Sequence, residues 1–345
     1  MSKKKILVTG GAGYIGSFTV QALRKSGYEP IVFDSLETGH QESIPDTKFY
    51  LGDLKTDTKL LDKIFKKEKP EAVIHFAAYI EVGESVKDPQ KYFLNNVGGS
   101  LNLLKAMLKN QVKQFVFSSS AAVYGEPKKV PINEDEPKIP TNPYGETKLV
   151  VEKILEWYSQ SFDLSSIALR YFNAAGAALD GSIGQDYPLP THLITRACEA
   201  ALGKRKDFTI YGNDYDTPDG TCIRDYIHVL DLAAAHVLAL NSFKKSRGFN
   251  VYNVGTSQGH SVLEVVKMVK KVSGISFSSP IGKRRPGDPA RLIASPRKIK
   301  KEMKFKPRYS DLKTIVESAW KWHNRNPKGF HQPSTINNQS LIINH

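Results

Sequence analysis

Across the first half of this chain, short apolar runs alternate with stretches in which apolar residues return every three or four positions. The runs at Lys5 to Thr9, Glu29 to Phe33, Lys48 to Leu51, Ala72 to Phe76, Gln114 to Ser118 and Ser166 to Arg170 predict strands. The periodic stretches at Ser17 to Ser26, Asp57 to Lys67, Pro89 to Asn110 and Pro143 to Phe162 predict helices, with Gly27 as a C-cap. Strands that are apolar along their length are buried on both faces. Interleaved with amphipathic helices, they indicate an α/β fold with a doubly wound parallel sheet of the Rossmann type.

After Asn173 the pattern loosens into Gly- and Pro-containing loops at Gly176 to Pro190 and Tyr211 to Gly220. Helices are predicted at Thr191 to Leu202, Val229 to Asn241, Val262 to Ser273 and Leu312 to Arg325. Strands near Phe208 to Tyr211 and Asn250 to Val254 are expected to extend the first sheet. The expected division is therefore 1–173, with 223–254 returning to it, and a smaller α/β substrate domain of 174–222 and 255–330. The polar, unpatterned tail from Pro333 to His345 is expected to be mobile.

Composition narrows the class. A chain of 345 residues with 40% hydrophobic and 24% charged residues is ordinary for a soluble globular protein. No apolar run approaches the ~20 residues that span a bilayer, so no membrane partner is expected. The start, Met-Ser-Lys-Lys-Lys-Ile-Leu-Val-Thr-Gly, carries charge without a signal peptide's apolar stretch and reads as a strand with a basic lead-in. Two cysteines, Cys198 and Cys222, offer neither a disulfide framework nor metal-ligand spacing. Both observations point to the cytoplasm. The net charge of +14 invites a nucleic-acid reading, but the lysines are scattered among acidic residues, as from Lys63 to Glu71, with no aromatic-interleaved stripe. No nucleic acid is expected; a basic surface suits capture of an anionic nucleotide.

Gly10, Gly13 and Gly16 fall between the first strand and the first helix, with Tyr14 and Ile15 inside the turn. This spacing permits a tight turn, close approach of backbone to a pyrophosphate, and a helix N-terminus aimed at the phosphates. Asp34 closes the second strand, eighteen residues past Gly16, where a carboxylate accepts hydrogen bonds from the ribose hydroxyls of an adenosine. A negative charge there disfavours a 2′-phosphate, so NAD is expected rather than NADP. Asp53-Leu54, after the third strand, is a further candidate beside the adenine.

Tyr144 and Lys148 are four residues apart on a predicted helix, and Ser118-Ser119-Ser120 ends the strand before it. Positions i and i+4 share a helix face, so a phenol and an ammonium address one ligand. A free phenol, with a pKa near ~10, is a poor base at neutral pH, and a neighbouring cation favours its ionised form. A lowering of about three units corresponds to roughly 4 kcal/mol. A lone pair of this spacing also occurs on ordinary solvated helices. Serine run, glycine turn and Tyr-Lys pair in order favour catalysis. His75, inside an apolar strand, reads as a core histidine, and Asp225 and Asp231 as structural carboxylates.

With VTGGAGYIGS, VIHFAA, VGESV, SSSAAVYGE, NPYGETK, LRYFNAAGA, DGTCIRDYIHVLDLA and RRPGDPA, the chain resembles the extended short-chain dehydrogenase/reductases. Within them it is similar to the UDP-glucose 4-epimerase family, up to about Phe330. The resemblance implies NAD contacts at Gly10, Gly13, Tyr14, Ile15, Gly16, Asp34, Asp53, Leu54, Phe76, Ala77, Ala78, Asn95, Ser118, Tyr144, Lys148 and Tyr171. It implies catalysis by Ser120, Tyr144 and Lys148, and substrate contacts at Ser120, Tyr144, Asn173, His192, Leu193, Arg224, Tyr226, Arg285, Asp288 and Leu292. UDP-glucose and UDP-galactose would be the substrates, Tyr144 the base, and a transient 4-keto sugar the intermediate.

Three positions depart from the family's pattern. His192 stands where Asn is frequent, Ile80 where some members place a lysine near the cofactor, and Ala122 where a small hydroxyl residue is common. Ser120 is followed by Ala121-Ala122-Val123, without the carboxylates that related 4,6-dehydratases use. Leu292 falls at the position that gates the hexose pocket, and its intermediate size leaves the N-acetyl pair open. UDP-pentose epimerisation and a non-catalytic NAD-binding scaffold are the other readings. A homodimer through Pro89 to Asn110 and Pro143 to Phe162 is implied.

Overall fold

A computed structural model of the protein describes residues 3–245, 247–285 and 288–330; the tail from Pro333, expected to be mobile, lies outside them. The first half of the chain runs β1 (Lys5–Thr9), α1 (Tyr14–Lys25), β2 (Glu29–Asp34), β3 (Lys48–Leu51), α2 (Thr58–Glu68), β4 (Ala72–His75), α3 (Val82–Lys87), α4 (Pro89–Tyr92), α5 (Gly99–Lys109), β5 (Gln114–Ser120), α6 (Pro143–Phe162) and β6 (Ser165–Tyr171). The second half adds β7 (Asn173–Ala175), α7 (Leu193–Ala201), β8 (Ile210–Tyr211), β9 (Ile223–His228), α8 (Val229–Ser242), β10 (Phe249–Val254), β11 (Gly259–Ser261), α9 (Val262–Ser273), β12 (Ile281–Gly282), β13 (Arg291–Leu292), α10 (Arg297–Met303) and α11 (Leu312–Arg325).

Seven strands form one parallel sheet in the order β10-β6-β5-β4-β1-β2-β3. Alternation along each strand sends its side chains to two separate cores. Ile6, Val8 and Val32 pack with Val20 and Leu23 of α1 and Leu232 and Ala235 of α8. Leu7, Ile31 and Phe33 pack on the opposite face with α2, α5 and α6, through Leu61, Phe65, Leu103, Met107, Val151 and Leu155. Each fully buried Leu, Ile or Val contributes roughly 1.5–3 kcal/mol, so the apolar runs dictate a sheet covered on both sides. Strand order reverses beside β1, and the crevice at the carboxyl ends of the strands there is the ligand site of such folds.

The structure departs from the sequence pattern in three places. Pro89 to Asn110 is not one continuous helix: a π-helical turn, Phe93–Gly98, separates α4 from α5. Such wide turns reposition side chains at functional sites, and this one carries Asn95 and Asn96. The Phe208 to Tyr211 segment does not join the large sheet. Its Ile210–Tyr211 pairs with Ile281–Gly282 in a two-stranded ribbon, because β10 already occupies the sheet edge beside β6. Within 223–254, α8 packs on α1 and β10 joins the large sheet, whereas β9 pairs with β7, β11 and β13 in a smaller sheet. A third core, built from Ala197, Val266 and Ile315 of α7, α9 and α11, supports that smaller sheet.

Candidate active site

The glycine turn after β1 is backbone-determined. Gly10 has φ +72°, and a Cβ on it would meet the Ala77 amide nitrogen at 2.4 Å; a Cβ on Gly16 would meet the Gly10 carbonyl oxygen at 2.1 Å. Both positions exclude any side chain. α1 begins at Gly13 with no side chain capping it and no acid in its first turn, so its N-terminal N–H groups stay available for phosphate oxygens. Asp34, buried at the end of β2, accepts hydrogen bonds from the amides of Ala12 and Leu36, both at 2.9 Å. Burial raises its carboxyl pKa and these amides oppose the rise. This cradle of open amides beside an acceptor-only carboxylate fits a dinucleotide with a free ribose 2′-hydroxyl.

The reactive groups stand across the crevice. Ser120 ends β5, and its Oγ accepts from the Ala122 amide at 3.1 Å. α6 starts at Pro143 behind an Asn142 cap, whose side-chain oxygen accepts from Gly145 N at 2.9 Å. That start sets the phase placing Tyr144 and Lys148 on one buried face, in the same cavity as Ser120. Lys148 Nζ lies 5.9 Å from the Tyr144 ring centre and donates to the Ser118 carbonyl at 2.8 Å.

The expected electrostatic pairing is modified by this geometry. Burial first, then the Tyr171 phenol, pushes Tyr144 well above the usual phenol value, and Ser120 only partly opposes this. Burial lowers Lys148 to about 7, with Glu152 one turn along the helix working against the fall. In the dry site the phenol is therefore held in its neutral form and Lys148 is poised to gain or lose its proton near pH 7.

Asn96 is a working residue that the sequence did not single out. Its amide accepts from Tyr79 N at 2.9 Å and donates to Tyr79 O and to Thr147 Oγ1, at 3.1 and 3.0 Å. It thereby ties the loop after β4, the π turn and α6 together. Beneath them a buried pair, Arg170–Glu152, holds β6 to α6, and Ser119 ties the serine strand to the same carboxylate, donating to Glu152 at 2.5 Å.

The other end of the crevice is cationic. Arg224 reaches Asp288 Oδ1 at 2.8 Å and donates to the Ile223 and Pro289 carbonyls at 2.9 and 2.8 Å. The Arg285 guanidinium lies 4.1 Å over the Tyr211 ring. Burial raises the Tyr211 phenol, but hydrogen bonds from Arg285 and Arg196 outweigh it and lower its pKa. Arg196, four residues after His192 on α7, also escaped the sequence reading; that spacing was its only available signal. Asn173 donates to the Asp225 carbonyl at 3.2 Å. Asp225 itself is a loop anchor, accepting from Thr256, Ser257 and Ala294, and burial raises it to about 6.

One cavity of about 1120 Å³ joins these ends. Gly10, Gly13, Tyr14, Ile15, Gly16, Asp34, Asp53, Leu54, Phe76, Ala77, Ala78, Asn95, Ser118 and Tyr171 line it on the glycine-turn side. Ser120, Tyr144 and Lys148 stand within it, and Asn173, His192, Leu193, Arg224, Tyr226, Arg285, Asp288 and Leu292 line the remainder. Tyr14 spans the halves, donating to the Gly176 carbonyl at 2.6 Å. His75 lies outside it, held between Thr9 and Ser100 at 2.7 and 2.9 Å, and burial lowers it to about 3.

A glycine cradle, a Ser-Tyr-Lys group and a cationic far wall define a dinucleotide-dependent enzyme of the short-chain dehydrogenase type. Residues 6–255 match the NAD dependent epimerase/dehydratase family, and the chain belongs to it. It is 50% identical over 325 residues to UDP-glucose 4-epimerase of Halalkalibacterium halodurans, spanning 94% of this chain and 97% of that protein. It is 48% identical over 326 residues to UDP-glucose 4-epimerase of Lacticaseibacillus casei, spanning 94% and 98%. The fold superposes with a TM-score of 0.89 on UDP-glucose 4-epimerase from Brucella ovis in complex with NAD, at 47% identity over 92% of this chain and 97% of that one. For the Bifidobacterium longum enzyme in complex with NAD+ and UDP the TM-score is 0.90, at 40% identity over 95% and 100%.

Proposed function

We propose that this protein is an NAD-dependent UDP-glucose 4-epimerase, an isomerase interconverting UDP-galactose and UDP-glucose through a transient 4-keto sugar. The observation that carries the reading is the single cavity that holds the glycine cradle, Ser120-Tyr144-Lys148 and the Arg224–Arg285 wall together. NAD is held by the amides at the start of α1 and by Asp34, with Asp53, Leu54, Phe76, Ala77, Ala78 and Asn95 along its length. When bound, NAD would supply reversible hydride acceptance for C4 of the hexose.

The chain's own groups handle the proton and the positioning. Tyr144 removes the proton from the 4-hydroxyl, and Ser120 hydrogen-bonds the same oxygen. Lys148 would hold the nicotinamide ribose, and its ammonium, when protonated, would favour the ionised form of Tyr144. Arg224 and Arg285 grip the diphosphate, where a planar fork of donors matches two oxygens at once. Firm anchoring remote from the reacting carbon leaves the keto sugar free to present its other face.

Further features complete the reading. We assign 1–173 together with α8 and β10 to the cofactor domain, and the smaller sheet with α7, α9 and α11 to the substrate domain. Phe93, Leu94, Leu101, Trp157 and Phe162 are exposed on the π turn, α5 and α6, which supports a homodimer through these helices. Among the described residues no helix is long and apolar enough to cross a membrane. Two buried free thiols, Cys198 and Cys222, suit the reducing cytoplasm. Incubation with UDP-galactose should yield UDP-glucose on chromatography without added reductant or oxidant. Absence of product while NAD is bound would favour the scaffold reading.

A further inference from the structure

Glu81 precedes α3 on the cofactor side of the cavity and lines it. Its backbone carbonyl is fixed by the Tyr92 hydroxyl at 2.8 Å, and its Oε2 accepts from Thr191 Oγ1 at 2.7 Å, from a residue 110 positions away. Thr191 belongs to the loop before α7 on the substrate side, so this hydrogen bond crosses the cavity between its two walls. Among the described residues Glu81 makes no ion pair, whereas its neighbour Glu84 is paired with Lys91 at 2.7 Å. Burial raises the Glu81 carboxyl pKa and the Thr191 contact opposes the rise.

An ionised carboxylate only accepts hydrogen bonds, and Thr191 occupies one of its two oxygens. A partly buried acceptor of this kind calls for a further donor. The diphosphate offers none and is repelled by it. The loop that carries it is tied through Tyr79 and Asn96 to Thr147, three residues from Tyr144 on α6, which places Glu81 on the cavity wall nearest the reacting groups. The donor-rich group at that end is the pyranose. Ile80, beside it, carries no charge to compensate it.

We propose that Glu81 is a specificity-determining residue, its carboxylate held by Thr191 across the cavity to accept a hydrogen bond from a hydroxyl of the hexose. The inference rests on the epimerase reading. It makes the pocket selective for a sugar that presents that hydroxyl, in addition to whatever Leu292 excludes by size.

The test is steady-state kinetics of the NAD-loaded enzyme with UDP-galactose, UDP-N-acetylglucosamine and a series of UDP-deoxy sugars. Glu81→Ala should raise KM for UDP-galactose about tenfold, the scale of one hydrogen bond to a charged group. The loss should fall on KM rather than kcat, with NAD content retained. Glu81→Gln keeps an acceptor oxygen and should recover part of the loss, and Thr191→Val should give a smaller loss of the same kind. For the one deoxy sugar that lacks the partner hydroxyl, Glu81→Ala should cost nothing, as a double-mutant cycle requires. An unchanged KM in Glu81→Ala, a loss confined to kcat, or equal losses on every deoxy sugar would each overturn the proposal. Should Glu81→Ala not fold, an unchanged KM in Glu81→Gln and Thr191→Val would do so. If the wild-type enzyme itself fails to turn over UDP-galactose, the epimerase reading falls instead.

Discussion

The two ends of the cavity are built on opposite principles. At the cofactor end, one short stretch of chain, β1 through β2, forms the cradle almost entirely from backbone: a turn of glycines, the open amides of α1 and one carboxylate, Asp34. At the proposed substrate end, Asn173, His192, Arg224 and the pair Arg285 and Asp288 come from four separate segments and present side chains to the cavity. A backbone site tolerates changes in side-chain chemistry but no added volume. A side-chain site tolerates added volume at its rim but not the loss of a single charged group. The reacting groups stand between these extremes, with one helix phase setting Tyr144 and Lys148 and a separate strand supplying Ser120.

The largest effect should come from that middle ground. Tyr144→Phe would remove the proposed base and is expected to lower kcat by about 10³-fold, within the range for general base catalysis, with the fold retained. Near-normal conversion of UDP-galactose would remove Tyr144 from the chemistry. At the backbone end, Gly16→Ala sets a methyl group 2.1 Å from the Gly10 carbonyl oxygen. Relieving that clash should cost about 1–3 kcal/mol of stability, and NAD affinity should fall by roughly tenfold or more. Melting temperature and cofactor content after purification read both. An effect no larger than that of an exposed-loop alanine would mean that the turn is adaptable.

Lys148 provides a test through pH. Its folded pKa, about 7, lies below the usual lysine value of 10.5. Between these values the unfolded chain holds a proton that the folded, cofactor-free protein has released, so folding stability rises with pH across this window. Below pH 7 both states are protonated and the burial cost is present in full, on the order of a few kcal/mol. Lys148→Met should therefore be more stable than wild type at pH 6, with the difference shrinking toward pH 10, and should lose activity at every pH. Denaturant titration at the two pH values checks the sign. At the substrate end, Arg224→Lys keeps the charge but not the fork, and should weaken UDP binding by about tenfold with NAD content unchanged. Calorimetry with UDP measures it, and unchanged affinity would place the diphosphate elsewhere.

Why the sequence spoke clearly about one end and less about the other follows from the same contrast. The glycine spacing, Asp34 and the Tyr144-Lys148 pair are local patterns, and local patterns survive in one dimension. The π turn at Phe93–Gly98 left no mark in the apolar periodicity, because its extra residue is absorbed by Asn96, which bonds to Tyr79 and Thr147 at long range. Arg196 and Glu81 likewise carry no motif: one stands on an amphipathic helix, and the other precedes a short helix that the pattern did not predict.

Apolar periodicity determined the parallel sheet and its two covered faces, and the glycine spacing the cradle, since hydrophobic burial and backbone sterics depend on residue type and spacing. Packing of distant segments decided the rest: that β10, not Phe208 to Tyr211, closes the sheet edge, and that Lys148 faces a carbonyl while burial lowers its pKa and raises that of Tyr144. Charge in a dry site depends on what surrounds it in space, and neighbours 100 residues away cannot be counted along the chain.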